Sequence, residues 1–210
     1  AGTLSYCFSA FLTNQPAIEL AELIAALSPG DLERVYFVSG GSEAIESAFK
    51  LARQHHLQRG NDEKHLIISR WGSYHGATLG ALSATGVPSL RAPFEPWLAD
   101  FPHIDACYPY RCSLAGCDGL CNLTCARQLE ETIHRVGPQN VAAFIAEPVA
   151  MAGMAAGVPP PEYFAEIRAI CDRHDVLFIA DEIITGFGRT GRMFAIEHWD
   201  TVPDLLVFGK

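Results

Sequence analysis

The chain has 210 residues, 15 of them basic and 24 acidic, for a formal charge of −9 at pH 7. Nearly half of it is apolar (49%), enough to bury one sizeable core without requiring a second. No Lys- or Arg-rich run stands out, which argues against nucleic acid as a partner, and no stretch reaches the roughly 18 continuous apolar residues of a membrane helix.

The predicted elements follow one another with short connections. Thr13-Asn14-Gln15-Pro16 opens a helix, Leu20, Leu23, Ile24 and Leu27 recur at helical spacing, and Ser28-Pro29-Gly30 ends it. Arg34–Val38 reads as a short β-run, Glu43–Arg59 as a helix with Ile45, Ala48, Phe49 and Ala52 on one face, and His65–Ser69 as the next strand. Residues 86–125 are rich in Pro, Gly and Cys and read as irregular. A helix over Ala126–Val136, a buried strand over Val141–Ala146, a helix over Pro161–His174 and strands over Val176–Ala180 and Leu205–Phe208 complete the pattern. Apolar strands alternating with helices predict an α/β fold, with a mostly parallel sheet and helices on both faces. Ligands bind such sheets beyond the carboxyl ends of the strands.

Polar residues at those ends are the candidates for chemistry. Ser39-Gly40-Gly41-Ser42 joins the first expected strand to a helix; its N–H groups suit an anion, and an ordinary serine-capped turn reads equally well. Trp71-Gly72-Ser73-Tyr74-His75-Gly76 offers a stacking face for a flat ligand, although core packing by Tyr74 and His75 fits too. Glu147 and Asp181 end apolar strands. Asp181 needs a cationic or hydrogen-bonding partner, either a protonated ring nitrogen or Arg189 or Arg192. Gly186-Phe187-Gly188-Arg189-Thr190-Gly191 opens no evident helix, so nicotinamide binding is rejected. Lys210, at a strand end, is a candidate Schiff-base amine or simply a solvated charge.

Taken in this order, the motifs resemble the class III (ω-aminotransferase) family of fold type I pyridoxal-phosphate enzymes. The resemblance runs from Thr13-Asn14-Gln15-Pro16-Ala17 to Lys210, and is most specific where DEIITGFGRTG begins at Asp181 and PDLLVFGK ends at Lys210. It implies a three-layer cofactor-binding large domain over residues 31–210, incomplete, with a Cys-rich insert at 100–125. An N-terminal segment with the first helix would occupy residues 1–30. It also implies site roles. Gly40, Gly41 and Ser42 would hold the cofactor phosphate, and Tyr74, beside His75, would stack on the pyridine ring. Asp181 would keep the ring nitrogen protonated, Ile183 would pack on the opposite face, and Glu147 would lie nearby. Lys210 would form the Schiff base. The implied reaction is ping-pong transfer of an amino group from an amine or amino acid to a 2-oxo acid. Ile184 replaces a Gln common in the family, which resembles the pyruvate-using branch. The resemblance further implies a homodimer and a C-terminal small domain that this sequence lacks. Ala1-Gly2-Thr3-Leu4 has neither an initiator Met nor a secretory signal, so both ends read as cuts through a larger, cytoplasmic protein. The chain by itself is expected to be inactive or poorly folded.

Two other readings stay open. An aminomutase, racemase or decarboxylase would use the same cofactor residues. A non-catalytic, Cys-dependent metal-binding or interaction module is the alternative of another class. Of seven cysteines, five fall in one window: Cys107, Cys112, Cys117, Cys121 and Cys125. Their spacing lacks the CxxC pairs of zinc ribbons and iron–sulfur sites, so free thiols or an adventitious disulfide are expected over a metal.

Overall fold

A computed structural model describes residues 13–112, 114 and 121–210; Cys117 and the residues before Thr13 lie outside them. The chain divides into two compact units, one ending at Phe37 and the other running from Val38 to Lys210. In the first, helix α1 (Gln15–Leu27) starts as its sequence predicts: the Asn14 side chain accepts a hydrogen bond from the Ala17 N–H, and Pro16 sits in the first turn.

Arg34–Val38 is the expectation that fails. Those residues are not in a strand, and Tyr36 and Phe37 are exposed. A β-rich composition makes a strand only when a neighbouring ladder takes up its N–H and C=O groups. Among the described residues no strand pairs with this segment.

The second unit contains a five-stranded sheet in the order β2-β1-β3-β4-β5. Its strands are β1 (Leu66–Arg70), β2 (His103–Ile104), β3 (Val141–Ala146), β4 (Leu177–Asp181) and β5 (Leu205–Val207). Every pairing between them is parallel. The remaining helices are α2 (Gly41–Gln58), α3 (Leu79–Ala84), α4 (Pro88–Arg91), α5 (Thr124–Val136) and α6 (Tyr163–Arg173). All six residues of β3 are buried, as an uninterrupted VAAFIA requires in a sheet covered on both faces.

Side-chain alternation sorts the core into two layers. Ile68, Phe144 and Phe178 pack with Leu129 and Ile133 of α5 and with Phe164 and Ile167 of α6. Ile67, Ile145 and Ile179 pack on the other face with Ile45, Phe49 and Ala52 of α2. Phe178 is fully buried and stacks between Phe144 and Phe164, with ring centroids 6.3 and 5.7 Å away. Phe178→Ala is expected to cost about 3–5 kcal/mol in urea unfolding of the whole protein, because so crowded a layer cannot collapse into the hole.

The insert is more ordered than its composition suggested. It contains β2 and a 3-10 turn at Pro109–Arg111, and the rest of the stretch expected to be irregular, 86–99, holds α4 and a 3-10 turn at Ala92–Trp97. A two-residue strand is too short to leave a period in the sequence. Among the described residues no helix is long and apolar enough to cross a membrane.

Candidate active site

The chain order reverses in space between β1 and β3, where β2 and β4 lie on opposite sides. A crevice forms at such a point, outside the carboxyl ends of the strands. Here it is a cleft lined by residues that follow four of the strands, together with the start of α2. It encloses about 550 Å³ of empty space, part of it open to solvent.

Gly40 is extended and caps α2, so the helix begins at Gly41, two residues earlier than expected. The first N–H groups of a helix have no intrahelical acceptor, so those of Gly41 and Ser42 present positive ends to the cleft. A Cβ on Gly41 would lie 3.1 Å from the Ile183 side chain, so the second glycine of the turn lets the helix start approach the strand end. The Ser42 hydroxyl accepts a hydrogen bond from the Ala77 N–H at 3.1 Å, which leaves its own hydrogen to donate. Gly76 makes that approach possible: its φ is +137°, and a Cβ there would stand 2.5 Å from the Ser42 oxygen. Glu46 of α2 accepts from the Thr78 hydroxyl and the Gly80 N–H, fixing the same loop to the helix.

Asp181 and Glu182 are neighbours with different tasks. The Asp181 carboxylate faces the cleft. Its Oδ2 lies 2.7 Å from His75 Nδ1, and its Oδ1 accepts from the Ile183 N–H at 3.1 Å. His75, not Arg189 or Arg192, is the partner its burial demanded. Glu182 is fully buried and accepts from the Thr185 hydroxyl and, at 2.7 Å, from the Ile196 N–H, so it anchors the following loop. Burial raises its pKa above the ordinary carboxylate value.

Glu147 is buried beside this pair. Arg70 donates to its backbone oxygen at 2.6 Å, and the Tyr74 N–H donates to its Oε1 at 3.4 Å. Its Oε2 lies 3.9 Å from the Arg70 guanidinium and, like His75 Nε2, is buried without a hydrogen bond among the described residues. Burial raises the Glu147 pKa, with His75 and Arg70 pulling the other way. A carboxyl raised in the fold costs nothing below its unfolded pKa; stability is lost as pH climbs from that value through the folded one. Glu147→Gln has no proton to lose. Its Tm relative to the native protein is therefore expected to rise as the pH climbs above the ordinary carboxylate value of about 4.3, and a constant difference would refute this.

Lys210 lies beyond β5, with its N–H donating to the Ile183 carbonyl at 3.2 Å. Because Asp181 pairs with Val207 across the β4–β5 ladder, acid and amine reach the same cleft from adjacent strands. Of the predicted residues, Gly41, Ser42, Tyr74, His75, Glu147, Asp181, Ile183 and Lys210 line it; Gly40 stands just outside as the helix cap. Ile184, singled out as the replacement of a family Gln, lines it too; Gly76, Val149 and Thr185 also line it and were not assigned a role there from the sequence. Gly76 and Thr185 were findable as neighbours of His75 and Ile183; an apolar valine in a loop carries no signal. Gly186–Gly191 is a run of turns with no helix behind it, so the dinucleotide pattern fails here.

The chain folds as a parallel α/β sheet with a cleft beyond its strand ends, and solved transaminases share that fold. The chain matches the class III aminotransferase family over residues 1–210 and belongs to it. It is 45% identical to the uncharacterized aminotransferase YodT of Bacillus subtilis, covering 99% of this chain and 46% of that protein. It is 38% identical to the putrescine–pyruvate aminotransferase of Pseudomonas aeruginosa, covering 94% and 43%. The solved ω-transaminase of Pseudomonas jessenii, in complex with PMP, superposes with a TM-score of 0.90 at 37% identity, covering 98% and 45%. The chain thus spans a little under half the length of these relatives.

Class III aminotransferases depend on pyridoxal phosphate, and the cleft fits that group by its chemistry. The N–H groups of Gly41 and Ser42 suit the phosphate, and Tyr74 and Ile183 supply faces for a flat ring. Asp181 has lone pairs left for a ring N–H, since each carboxylate oxygen accepts more than one donor. Lys210, which lines the cleft, could offer its amine to the aldehyde.

Proposed function

We propose that this protein transfers an amino group from an amine or amino acid to a 2-oxo acid, with pyruvate as acceptor, using pyridoxal phosphate held in the cleft. The observation that carries the reading is the convergence of Asp181, Lys210, Tyr74 and the start of α2 on one crevice. When bound, the cofactor supplies an electron sink for charge left on the substrate carbon.

The chain's own residues do the rest. Asp181 holds negative charge where a ring proton needs it, and His75 keeps that carboxylate in place. Tyr74 and Ile183 confine the ring and exclude water from its faces. Lys210 would hold the cofactor through its aldehyde, and its amine would take up and return the proton at the substrate carbon. The choice of pyruvate rests on Ile184, which lines the cleft where Gln is common in the family, and on the pyruvate-using relative. The active form we propose is a homodimer, which light scattering would test.

The decisive experiment loads the whole protein with pyridoxal phosphate and offers a panel of amines with pyruvate. Alanine should accumulate, and amine alone should convert the cofactor once per site. Cofactor uptake with racemised or decarboxylated substrate and no alanine would overturn amino transfer. A protein that takes up no cofactor would overturn the whole reading.

A further inference from the structure

The cysteine window offers a second site, separate from the cleft. Cys107 follows β2, and Cys121 and Cys125 flank the start of α5. Their sulfurs all lie within 4.8 Å of one another, and those of Cys107 and Cys121 are 3.7 Å apart. Four ligands at about 2.3 Å in a tetrahedron stand about 3.8 Å apart, so this is the spacing of thiolates around a zinc ion. A disulfide would need about 2.05 Å.

The surroundings are built to hold it. Cys107 and Cys125 are buried, while Cys121 is partly open, leaving a way in. The Asp105 N–H donates to Gln128 Oε1, and Gln128 Nε2 donates back to Asp105 Oδ2, both at 3.0 Å, clamping the Cys107 segment to α5. Between Cys121 and Cys125 the backbone takes a left-handed step at Leu123, φ +62°, a conformation a bulky side chain adopts rarely and at a cost. That step folds Cys121 back over the first turn of the helix.

We propose that Cys107, Cys121 and Cys125 bind one soft divalent cation, zinc by preference, as a structural site that pins the 100–125 insert to α5. The proposal departs from the preference for free thiols that spacing alone gave. Each thiol loses its proton on binding, so three protons leave per ion and the site carries one net negative charge. Without a cation the thiols resist this together. Hydrogen bonding to Cys125 and burial push Cys107 far up, while the bond from Cys107 draws Cys125 down to about 7. A divalent cation among the three sulfurs would offset the charge that each lost proton leaves.

The test uses the whole protein, purified anaerobically without chelators. Elemental analysis should find about one zinc per chain. After chelation, added Co²⁺ should give the intense visible bands of a tetrahedral cobalt–thiolate centre, a readout independent of any variant and of transaminase activity. Cys107→Ser, Cys121→Ser and Cys125→Ser should each lose at least tenfold in metal affinity, while Cys171→Ala, a buried cysteine on α6, should keep it. Protein that takes up neither Zn²⁺ nor Co²⁺ while its thiols react as free groups would overturn the proposal. So would a Cys107–Cys121 disulfide found by mass spectrometry under these conditions.

Discussion

Replacing Lys210 with alanine in the whole protein is expected to lower turnover by about 10⁴-fold or more, while pyridoxal phosphate still binds. One side chain carries both the covalent hold on the cofactor and the proton movement at the substrate carbon, and either alone is worth orders of magnitude. Borohydride treatment followed by peptide mapping should find the cofactor fixed to Lys210 in the native protein and to no residue in the variant. Small external amines should restore part of the proton-transfer rate. A variant within tenfold of native would mean that another amine does the work, and among the described residues no other lysine or arginine lines the cleft.

Asp181→Asn is the second large effect. The amide keeps the shape and can still accept from one of the two donors now facing the carboxylate, His75 Nδ1 and the Ile183 N–H. It removes the charge, and its NH₂ turns a donor toward groups that also donate. Turnover should fall by about 10²–10³-fold, the usual cost of losing one preorganised charge at a reacting centre. KM should change far less. The bound cofactor's absorbance should show an unprotonated ring nitrogen, a signature that loosened packing would not produce. Asp181→Glu, which restores the charge at a displaced position, should recover more activity than Asn. An Asn variant with an unchanged spectrum would remove Asp181 from this role.

How much of this could be read from the residues alone depended on how local the cause was. Val141–Ala146 declared itself because a fully buried strand must be apolar on both faces. Asp181 and Lys210 declared themselves because a charge after an apolar run lands at a strand end. Arg34–Val38 misled because strand formation depends on a neighbour, which composition cannot supply. The His75–Asp181 contact was invisible because it joins a loop residue to the end of a strand far along the chain. The division of labour between Asp181 and Glu182 was hidden as well: adjacent side chains alternate across a strand, but which one meets the cleft depends on how the sheet is covered. The closeness of Cys107, Cys121 and Cys125 was invisible for a similar reason, since the chain folds β2 onto α5 and makes neighbours of cysteines whose spacing fits no familiar pattern.

The β1–β3 ladder carries a consequence for synthesis. It joins Leu66 to Val141, so the sheet's centre cannot close until the later residue has left the ribosome. At roughly 5–20 residues per second, the intervening stretch takes on the order of 4–15 s to translate. Through that interval Ile67 and Ile68 have no partner strand on that side. Nascent chains should therefore be most open to chaperone capture, or to clumping with one another, while the Cys-rich insert is being made. Slowing translation there would lengthen the exposure.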